Sequence, residues 1–305
     1  SYGAKIRGAA YPLYLLGRMG VGDPVALLVW IAGTALVLFL TLYIIARGFI
    51  RLATSTGTVA RTAYREKKAR VRRREFARFL GSPTYMLNCG LGSVIGVAFA
   101  GFLLIRNSWA YENLSVLSEA VGIGIPRFAP IAAAAVCMVL STVAITAPSV
   151  SLEGRTIWLS QSLPVTPWKV LRAKLAVHLW VGGIPALLCG VAVAAALRLP
   201  FPTAVMTVIL LLLFTLLQAC FGLFVNLLHP NLTWVSEMTL IKQSLGVLFS
   251  LLGGWGYAAL LGVGGYFLTV PVPAWVALLA LNLLTALLSL LLLRWLKRRG
   301  ARIFA

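Results

Sequence analysis

Residues 151–174 read SLEGRTIWLSQSLPVTPWKVLRAK and form a polar connector between two long apolar runs. The chain around this connector has 305 residues, of which 60% are hydrophobic and 11% are charged, and its mean hydropathy is +0.94. An ordinary soluble domain has about 25% charged residues, so this composition excludes that class. A membrane span needs roughly 20 apolar residues, and the chain has several runs of that length. The sequence therefore predicts an all-α polytopic membrane protein.

Seven apolar runs are long enough to be spans. Three of them start with a capping residue followed by proline, which is a common start signal of a helix. The three pairs are Asp23-Pro24, Ser82-Pro83 and Thr166-Pro167. The uncharged stretch 243–293 is too long for one crossing, and Pro271 and Pro273 divide it in two. The predicted spans are 24–46, 83–105, 128–150, 169–197, 202–228, 244–269 and 273–294.

The basic residues place the connector in the cytoplasm. If residues 47–78 are cytoplasmic, the alternating loops put 21 of the 27 Lys and Arg residues inside and 6 outside, in agreement with the positive-inside rule. This distribution explains the net charge of +20. It also divides the remaining chain: 1–23 is an extracytoplasmic segment, 47–71 a basic cytoplasmic linker, 106–127 an outer loop and 300–305 a cytoplasmic tail.

The densest basic run, at residues 65–79, reads REKKARVRRREFARF. Such a run could bind nucleic acid, but its neighbours are apolar helices. Anionic headgroups attract basic clusters next to a span by about 1 kcal/mol per charge. Phe76, Phe79 and Leu80 recur at helical spacing beside arginines such as Arg74. We therefore predict a helix that lies on the membrane surface and no nucleic-acid site.

The predicted spans contain few residues that could serve in catalysis or in ion transport. His178 is the one ionisable residue well inside a span, where a packing role is more typical than a proton relay, and no Asp or Glu lies within any span. An ion-coupled carrier would need such groups. The sequence has no G-x-x-x-x-G-K-[ST] loop and no H-E-x-x-H motif, and its four cysteines are scattered singly. We therefore predict no catalytic residue, no metal site and no directly bound cofactor.

Glycines are concentrated in two spans. Gly92 and Gly96 form a G-x-x-x-G pattern in span 83–105, and span 244–269 contains Gly253, Gly254, Gly256, Gly262, Gly264 and Gly265. Small residues let helices approach closely, so the pattern predicts tight packing. A mobile helix lining a pathway is the alternative, and the two interpretations are compatible.

The connector itself predicts a short amphipathic helix on the cytoplasmic membrane surface. Ser151 can cap it and Pro164 ends it. Its apolar side would consist of Leu152, Trp158, Leu159 and Leu163. Glu153 and Arg155 would lie near its exposed beginning. Such a helix is either a simple turn between two spans or a docking site for a soluble partner.

The connector resembles that of type-2 ABC-transporter permeases, in which an acidic-basic helix and an SLPVTP-like turn separate the second and third core helices. Three more stretches are similar to one subfamily, the large permeases of bacterial ABC exporters. They are REFARFLGSPTYMLNCGLG (74–92), which resembles the elbow helix, NLLHPNLTWVSEMTLIKQS (226–244) and ARGFIRLATSTGTVARTAYREKK (46–68). These stretches occur in the expected order over most of the chain.

The resemblance implies a six-helix permease core at 72–299, with an elbow at 72–82 and a coupling helix at 152–163. That helix would seat in a separate ATP-binding subunit, which would hold ATP and Mg. By position, Glu153 and Arg155 would make polar contacts there, and Trp158 would anchor the helix. His229 and Glu237 would form a second contact, although His229 departs from the aromatic or apolar residue expected before that proline. The elbow would comprise Arg74, Phe76, Phe79 and Leu80.

The resemblance further implies a bacterial cell membrane location and a second permease half or a homodimer. Members of the subfamily have two halves in one polypeptide, so span 24–46 would be the last helix of a preceding half and the chain a C-terminal portion. The function expected is that of the permease of an ATP-driven exporter. The alternative is a membrane scaffold or enzyme without an ATPase partner.

Overall fold

The computed structural model describes Arg18 and residues 23–55, 71–162, 165–234 and 236–305. These residues form helices, turns and irregular segments, and none of them is in a strand. The chain divides into two compact units, 1–66 and 67–305. In the first unit, helix α1 (Pro24–Ser55) is longer than the predicted span, and its apolar part is Pro24–Leu40. Asp23 caps α1, because its Oδ1 atom accepts from Val25 N at 2.9 Å.

The second unit contains five helices that are long and apolar enough to cross a membrane. They are α3 (Pro83–Ile105), α7 (Pro167–Ala196), α8 (Phe201–Leu228), α9–α10 (Glu237–Gln243 and Leu245–Leu268) and α11–α12 (Ala274–Trp295 and Ala301–Phe304). A π-helical turn, Leu296–Gly300, joins α11 to α12. The ends of α3, α7, α8, α10 and α11 agree with the predicted spans to within two residues. The chain is therefore an all-α, multi-pass membrane protein.

Shorter helices complete the unit. They are α2 (Val71–Gly81), α4 (Asn107–Val121), α5 (Ala129–Leu140) and α6 (Ile157–Gln161), with 3-10 turns at Ile125–Phe128 and Ser151–Thr156. The predicted helix starts are present: α3 begins at Pro83, and Ser82 Oγ accepts from Tyr85 N at 3.2 Å. Most of the predicted outer loop, residues 106–127, is helical and forms α4, and its position outside the membrane stays a prediction. The pair of helices 107–120 and 125–140 is bent by 103°, and counting it as one span gives six.

The prediction of a continuous span at 128–150 is wrong. Helix α5 ends at Leu140, and residues 141–150 are irregular but almost entirely buried. The Ser141 and Thr142 hydroxyls donate to carbonyls of their own helix, Cys137 O at 2.7 Å and Val139 O at 2.6 Å. Such local bonds compete with helix continuation, and Pro148 disfavours a helix at the residue before it. Non-helical backbone at membrane depth needs protein around it, which the surrounding helices supply.

The glycines explain how this irregular segment fits among the helices. A side chain at Gly222 of α8 would come within 2.7 Å of Thr146 Oγ1, and one at Gly254 of α10 within 2.6 Å of Ser141 Oγ. Gly92 of α3 likewise faces Thr142. The predicted close packing is confirmed for Gly92 and Gly254, whereas Gly256 and Gly264 have no neighbour within 4 Å, and Gly222 was not among the predicted positions. Glycines therefore allow close packing against the irregular segment as well as between continuous helices.

Segments predicted to share the cytoplasmic side meet at one end of the second unit. Ser82 Oγ donates to Glu237 Oε2 at 2.5 Å, and Gln161 Nε2 donates to Phe304 O at 2.9 Å. We call this the basic end: it comprises α2, residues 149–161, the first two turns of α7, residues 229–243 and residues 294–304. At the opposite end, the Arg198 guanidinium lies 4.2 Å from the centre of the Tyr111 ring. The alternation of loops between two ends therefore agrees with the predicted topology.

Candidate functional site

A buried charge cluster lies under the connector at the basic end. Lys174 of α7 lies 3.0 Å from Glu75 Oε2 of α2 and 2.6 Å from Glu153 Oε1 of the connector, measured from its Nζ atom. All three side chains are at most 5% exposed. Lys174 Nζ also donates to Ser149 O at 2.9 Å, at the end of the irregular segment. Lys174 of α7 therefore contacts α2, the connector and the end of the irregular segment 141–150.

Two arginines complete the cluster on its partly exposed side. Arg78 Nη1 lies 3.5 Å from Glu153 Oε1 and 3.9 Å from Glu75 Oε2, and Arg74 Nη2 lies 3.3 Å from Glu75 Oε1. Burial alone would raise the pKa of the Glu75 carboxyl, but Lys174, Arg78 and Arg74 together bring that pKa below its ordinary value of 4.5. Glu75 is therefore a carboxylate at neutral pH, and its charge is balanced inside the protein.

Glu153 is held differently from Glu75. Its carboxylate oxygens have no aligned hydrogen bond among the described residues, even though Lys174 is only 2.6 Å away. The distance of 2.6 Å is that of an ion pair, so attraction between the charges holds Glu153 in place. Because a buried carboxylate is costly without its counter-charge, the position of Glu153 depends on Lys174 and Arg78.

Asn226, near the end of α8, fixes the start of the connector. Its Oδ1 atom accepts from Val150 N at 2.7 Å and from Ser151 N at 3.2 Å, and its Nδ2 atom donates to Ser151 Oγ at 2.7 Å. Ser151 Oγ also accepts from Asn231 N at 2.9 Å. Asn226 and Ser151 are both fully buried. The predicted capping role of Ser151 is therefore replaced by a cross-link between the connector, α8 and the segment after α8.

The indole ring of Trp234 packs over Gly154 of the connector. The indole Nε1 of Trp234 donates to Ser151 O at 2.7 Å. Under the ring lies Gly154, whose φ of 51° and ψ of −136° are open almost only to glycine. A side-chain carbon at Gly154 would lie 3.0 Å from Trp234 Nε1. The kink at Gly154 lies within the 3-10 turn Ser151–Thr156, which precedes α6, so the predicted single helix at 152–163 is wrong.

Replacing Gly154 with alanine is expected to lower the free energy of unfolding by about 1–3 kcal/mol. The alanine would be strained in this backbone conformation and would displace the Trp234 indole from Ser151 O. Gly183→Ala is the matched control, since Gly183 lies within α7 with no neighbour within 4 Å and alanine favours a helix. Unfolding in mixed micelles measures both variants. Equal stability of the two would contradict the packing of Trp234 on Gly154.

The structure revises the predicted roles of the connector residues. Glu153 was expected at an exposed start, which is wrong, because its side chain lies in the charge cluster. Trp158 is 63% exposed, so its side chain is available to a partner. The side chains of Arg155 and Leu159, and all of Leu163 and Pro164, lie outside the described residues. Leu152 is buried with Trp234 and Leu240 nearby in one apolar cluster.

The second predicted partner contact consists of two residues, of which one is exposed and the other is hydrogen-bonded within the protein. His229 is exposed at the end of α8. Glu237, the first residue of α9, accepts a hydrogen bond from Ser82 at 2.5 Å, so its carboxylate joins α9 to the start of α3. The role of both residues in binding a partner stays a prediction.

The segment predicted to be the elbow, 72–82, is helical as far as Gly81 and belongs to α2, but its faces differ from those predicted. Phe79 was expected beside the lipid, which is wrong, because it is 4% exposed and packs edge-on against Tyr85 with ring centres 5.3 Å apart. Leu80 is 60% exposed and Phe76 is partly buried. Arg74 is directed to Glu75. The helix therefore packs one face on the protein and leaves Leu80 outward.

The other sequence predictions concern metal and redox chemistry. His178 is buried and its Nδ1 atom lies 3.4 Å from Thr146 Oγ1, a packing position beside the irregular segment. The four cysteines are buried and unpaired. In the part of the chain that the structure describes, no group of three His, Cys, Asp or Glu residues is placed to hold a metal ion.

The sequence predicted no site role for Glu75, Lys174, Asn226 or Trp234. Two of them had a detectable signal. Val71, Glu75 and Phe79 recur every four residues and share the buried face of α2, so the acid lies on the face that packs inward. Lys174 likewise lies between Val170 and His178 on the buried face of α7.

Comparison of the chain with protein-family models, with curated proteins and with solved structures finds no match.

Proposed function

We propose that the chain is the membrane-spanning permease subunit of an ATP-driven ABC exporter in a bacterial cell membrane. It would act with a separate ATP-binding subunit, which holds ATP and Mg and carries out hydrolysis, and with a second permease half or a second copy. The contact would be made by the connector at 152–163. The resemblance of four stretches of sequence and the presence of five long apolar helices support this proposal.

One observation carries the proposal: the connector is exposed on one side and fastened to several helices on the other. Trp158 and Thr156 face outward. On the inner side, Glu153 is paired with Lys174 of α7 and Arg78 of α2, Ser151 is bonded to Asn226 of α8, and Gln161 is bonded to the residue 304 carbonyl. A simple turn between two spans does not need such fastening.

These contacts determine how a displacement of the connector would be transmitted to the helices. An ATP-driven movement of the partner would displace Trp158, and Glu153 would transmit this displacement to α7 and α2 through Lys174 and Arg78. Asn226 would transmit it to α8. Such motion shifts the balance between inward-open and outward-open states only if the contacts differ in the two states. In this account Glu153 acts inside the permease, and Trp158 makes the partner contact.

The interior favours an apolar substrate. A cavity of about 300 Å³ lies between α8, α10 and α11. Phe214, Phe221 and Tyr257 line it, with Gln218 as a polar group. No charged residue is among its described lining. A lipid, an amphipathic peptide or a hydrophobic drug would suit such a cavity, because a charged substrate would be desolvated there without compensation.

The test is co-purification of an ATPase with the intact chain in mild detergent. Wild type is expected to retain an ATP-binding protein and to show Mg-dependent ATP turnover. Trp158→Ala should bind it about 30-fold more weakly, because a tryptophan anchor typically contributes about 2 kcal/mol or more to binding. Trp109→Ala is the matched control, since Trp109 is 53% exposed on α4, outside the basic end.

Three results would count against the proposal. Absence of any ATP-binding protein from the wild-type preparation would favour the scaffold or enzyme alternative. Equal loss in Trp109→Ala and Trp158→Ala would mean that the connector is not the contact. Transport that continues unchanged after ATP depletion would exclude an ATP-driven exporter.

A further inference from the structure

A groove on the surface of the basic end runs between α2 and the first turns of α7. Its volume is about 700 Å³. Arg72 and Arg73 of α2 form one side, and Lys169 and Arg172 of α7 form the other. All four basic side chains are exposed. None of them takes part in the charge cluster around Lys174, so the groove is separate from the candidate site described above.

No described acidic residue balances the charges of the groove. Among the described residues that line it, four are basic and none is acidic. The nearest acid on α2, Glu75, is buried on another face of the helix and paired with Lys174. Four like charges around one cavity repel one another, and an anion placed between them relieves this repulsion. Arginine in particular presents paired N–H groups that match a phosphate.

The wall of the groove is apolar below the basic side chains. Phe76 of α2 and Trp180 of α7 belong to its lining, and Trp180 is 59% exposed. Trp180 follows Arg172 by eight residues, which is about 12 Å along a helix axis. The basic residues lie at the start of α7 and Trp180 lies toward the middle of the span. The groove therefore offers a site for an anionic group with an apolar surface next to it.

We propose that this groove binds one anionic phospholipid. The phosphate lies between Arg72 and Arg73 on one helix and Lys169 and Arg172 on the other, and an acyl chain lies along Trp180. Basic pockets between membrane helices on the cytoplasmic side are suited to such headgroups. A bound lipid would tie α2 to α7 from outside, as Lys174 and Glu75 do from inside. This proposal does not depend on the ATPase partner.

The experiment is native mass spectrometry of the full chain in a neutral detergent, titrated with phosphatidylglycerol. Phosphatidylcholine with the same acyl chains tests the need for net negative charge, and inorganic phosphate tests a free-anion site. We expect one tightly bound phosphatidylglycerol. The double variant Lys169→Gln/Arg172→Gln should bind it about 25-fold more weakly, because each basic residue near an anionic lipid contributes about a factor of five. Lys169→Gln alone should lose about fivefold.

The matched control is Lys297→Gln/Arg298→Gln, which removes the same charge from exposed positions at the same end but outside the groove. It should retain wild-type affinity. Equal weakening in both double variants would show diffuse attraction to the basic end and overturn the site. Equal binding of phosphatidylcholine, or displacement of the lipid by inorganic phosphate at millimolar concentration, would also overturn the proposal.

A second measurement locates the acyl chain. Phosphatidylglycerol with brominated chains should quench part of the tryptophan fluorescence of the wild type, and Trp180→Phe should remove the saturable part of this quenching. Unchanged quenching in Trp180→Phe would contradict the placement of the acyl chain. Because the four basic residues and Trp180 are exposed, these variants are expected to fold, and a wild-type gel-filtration profile verifies it.

Discussion

Lys174→Met is expected to lower the free energy of unfolding by about 3–5 kcal/mol, the typical cost of leaving buried charges without their partner. Glu75 and Glu153 would both lose the cation that lies within 3.0 Å of them. Arg78 cannot replace it, because it is 3.5 Å or more from either carboxylate and partly exposed. Ser149 O would also lose its hydrogen bond from Lys174. Unfolding of the purified protein in mixed micelles measures the loss.

Two further variants distinguish the effect of losing the charge cluster from the general effect of replacing a lysine. Lys169→Met is the matched control, because Lys169 is exposed on the same helix, and in micelles free of anionic lipid it should change stability by less than about 1 kcal/mol. Combining Lys174→Met with Glu75→Gln and Glu153→Gln should recover part of the loss, since no unpaired charge stays buried. A Lys174→Met protein as stable as the Lys169→Met protein would contradict the buried ion pairs.

Asn226→Leu is the second variant with a large expected effect. It would leave the Val150 and Ser151 N–H groups without an acceptor in a buried site, and each orphaned group costs about 1–3 kcal/mol. The total for the two groups is expected to be about 2–6 kcal/mol, measured in the same unfolding experiment. If the chain acts as the proposed exporter permease, ATP turnover and transport should also become uncoupled, because Asn226 connects the connector to α8.

Asn88→Leu provides the control for this change. Asn88 is exposed on α3 and its Nδ2 atom donates to Thr84 O of the same helix, so its loss should have little effect. An Asn226→Leu protein with wild-type stability would mean that the connector is not fastened to α8 as described.

The sequence predicted most of the architecture because apolar length and proline starts are local signals. The five long helices lie where uncharged runs and the pairs Ser82-Pro83 and Thr166-Pro167 indicated. The broken span was missed because every residue of 128–150 is uncharged, and hydropathy does not distinguish a helix from an irregular segment buried among glycines. Only the clustering of Ser141, Thr142 and Pro148 indicated a break.

The site was harder to predict, because its contacts join residues far apart in the chain. Glu75 and Lys174 are 99 residues apart, and no local pattern pairs them. The exposed beginning predicted for Glu153 followed from its place in a polar connector, but burial is decided by α2 and α7 packing over it. Asn226 was missed for the same reason, since an amide near a helix end gives no sign of the backbone groups that it will meet.

The most direct test of the central claim is photo-crosslinking from position 158 in native membranes. A benzoylphenylalanine in place of Trp158 should form a covalent product with an ATP-binding protein, identified by mass spectrometry, and the same group in place of Trp109 should not. This result would place an ATPase on the exposed face of the connector. Products with lipid alone at position 158, or the same products from both positions, would contradict the role of the connector as the coupling contact.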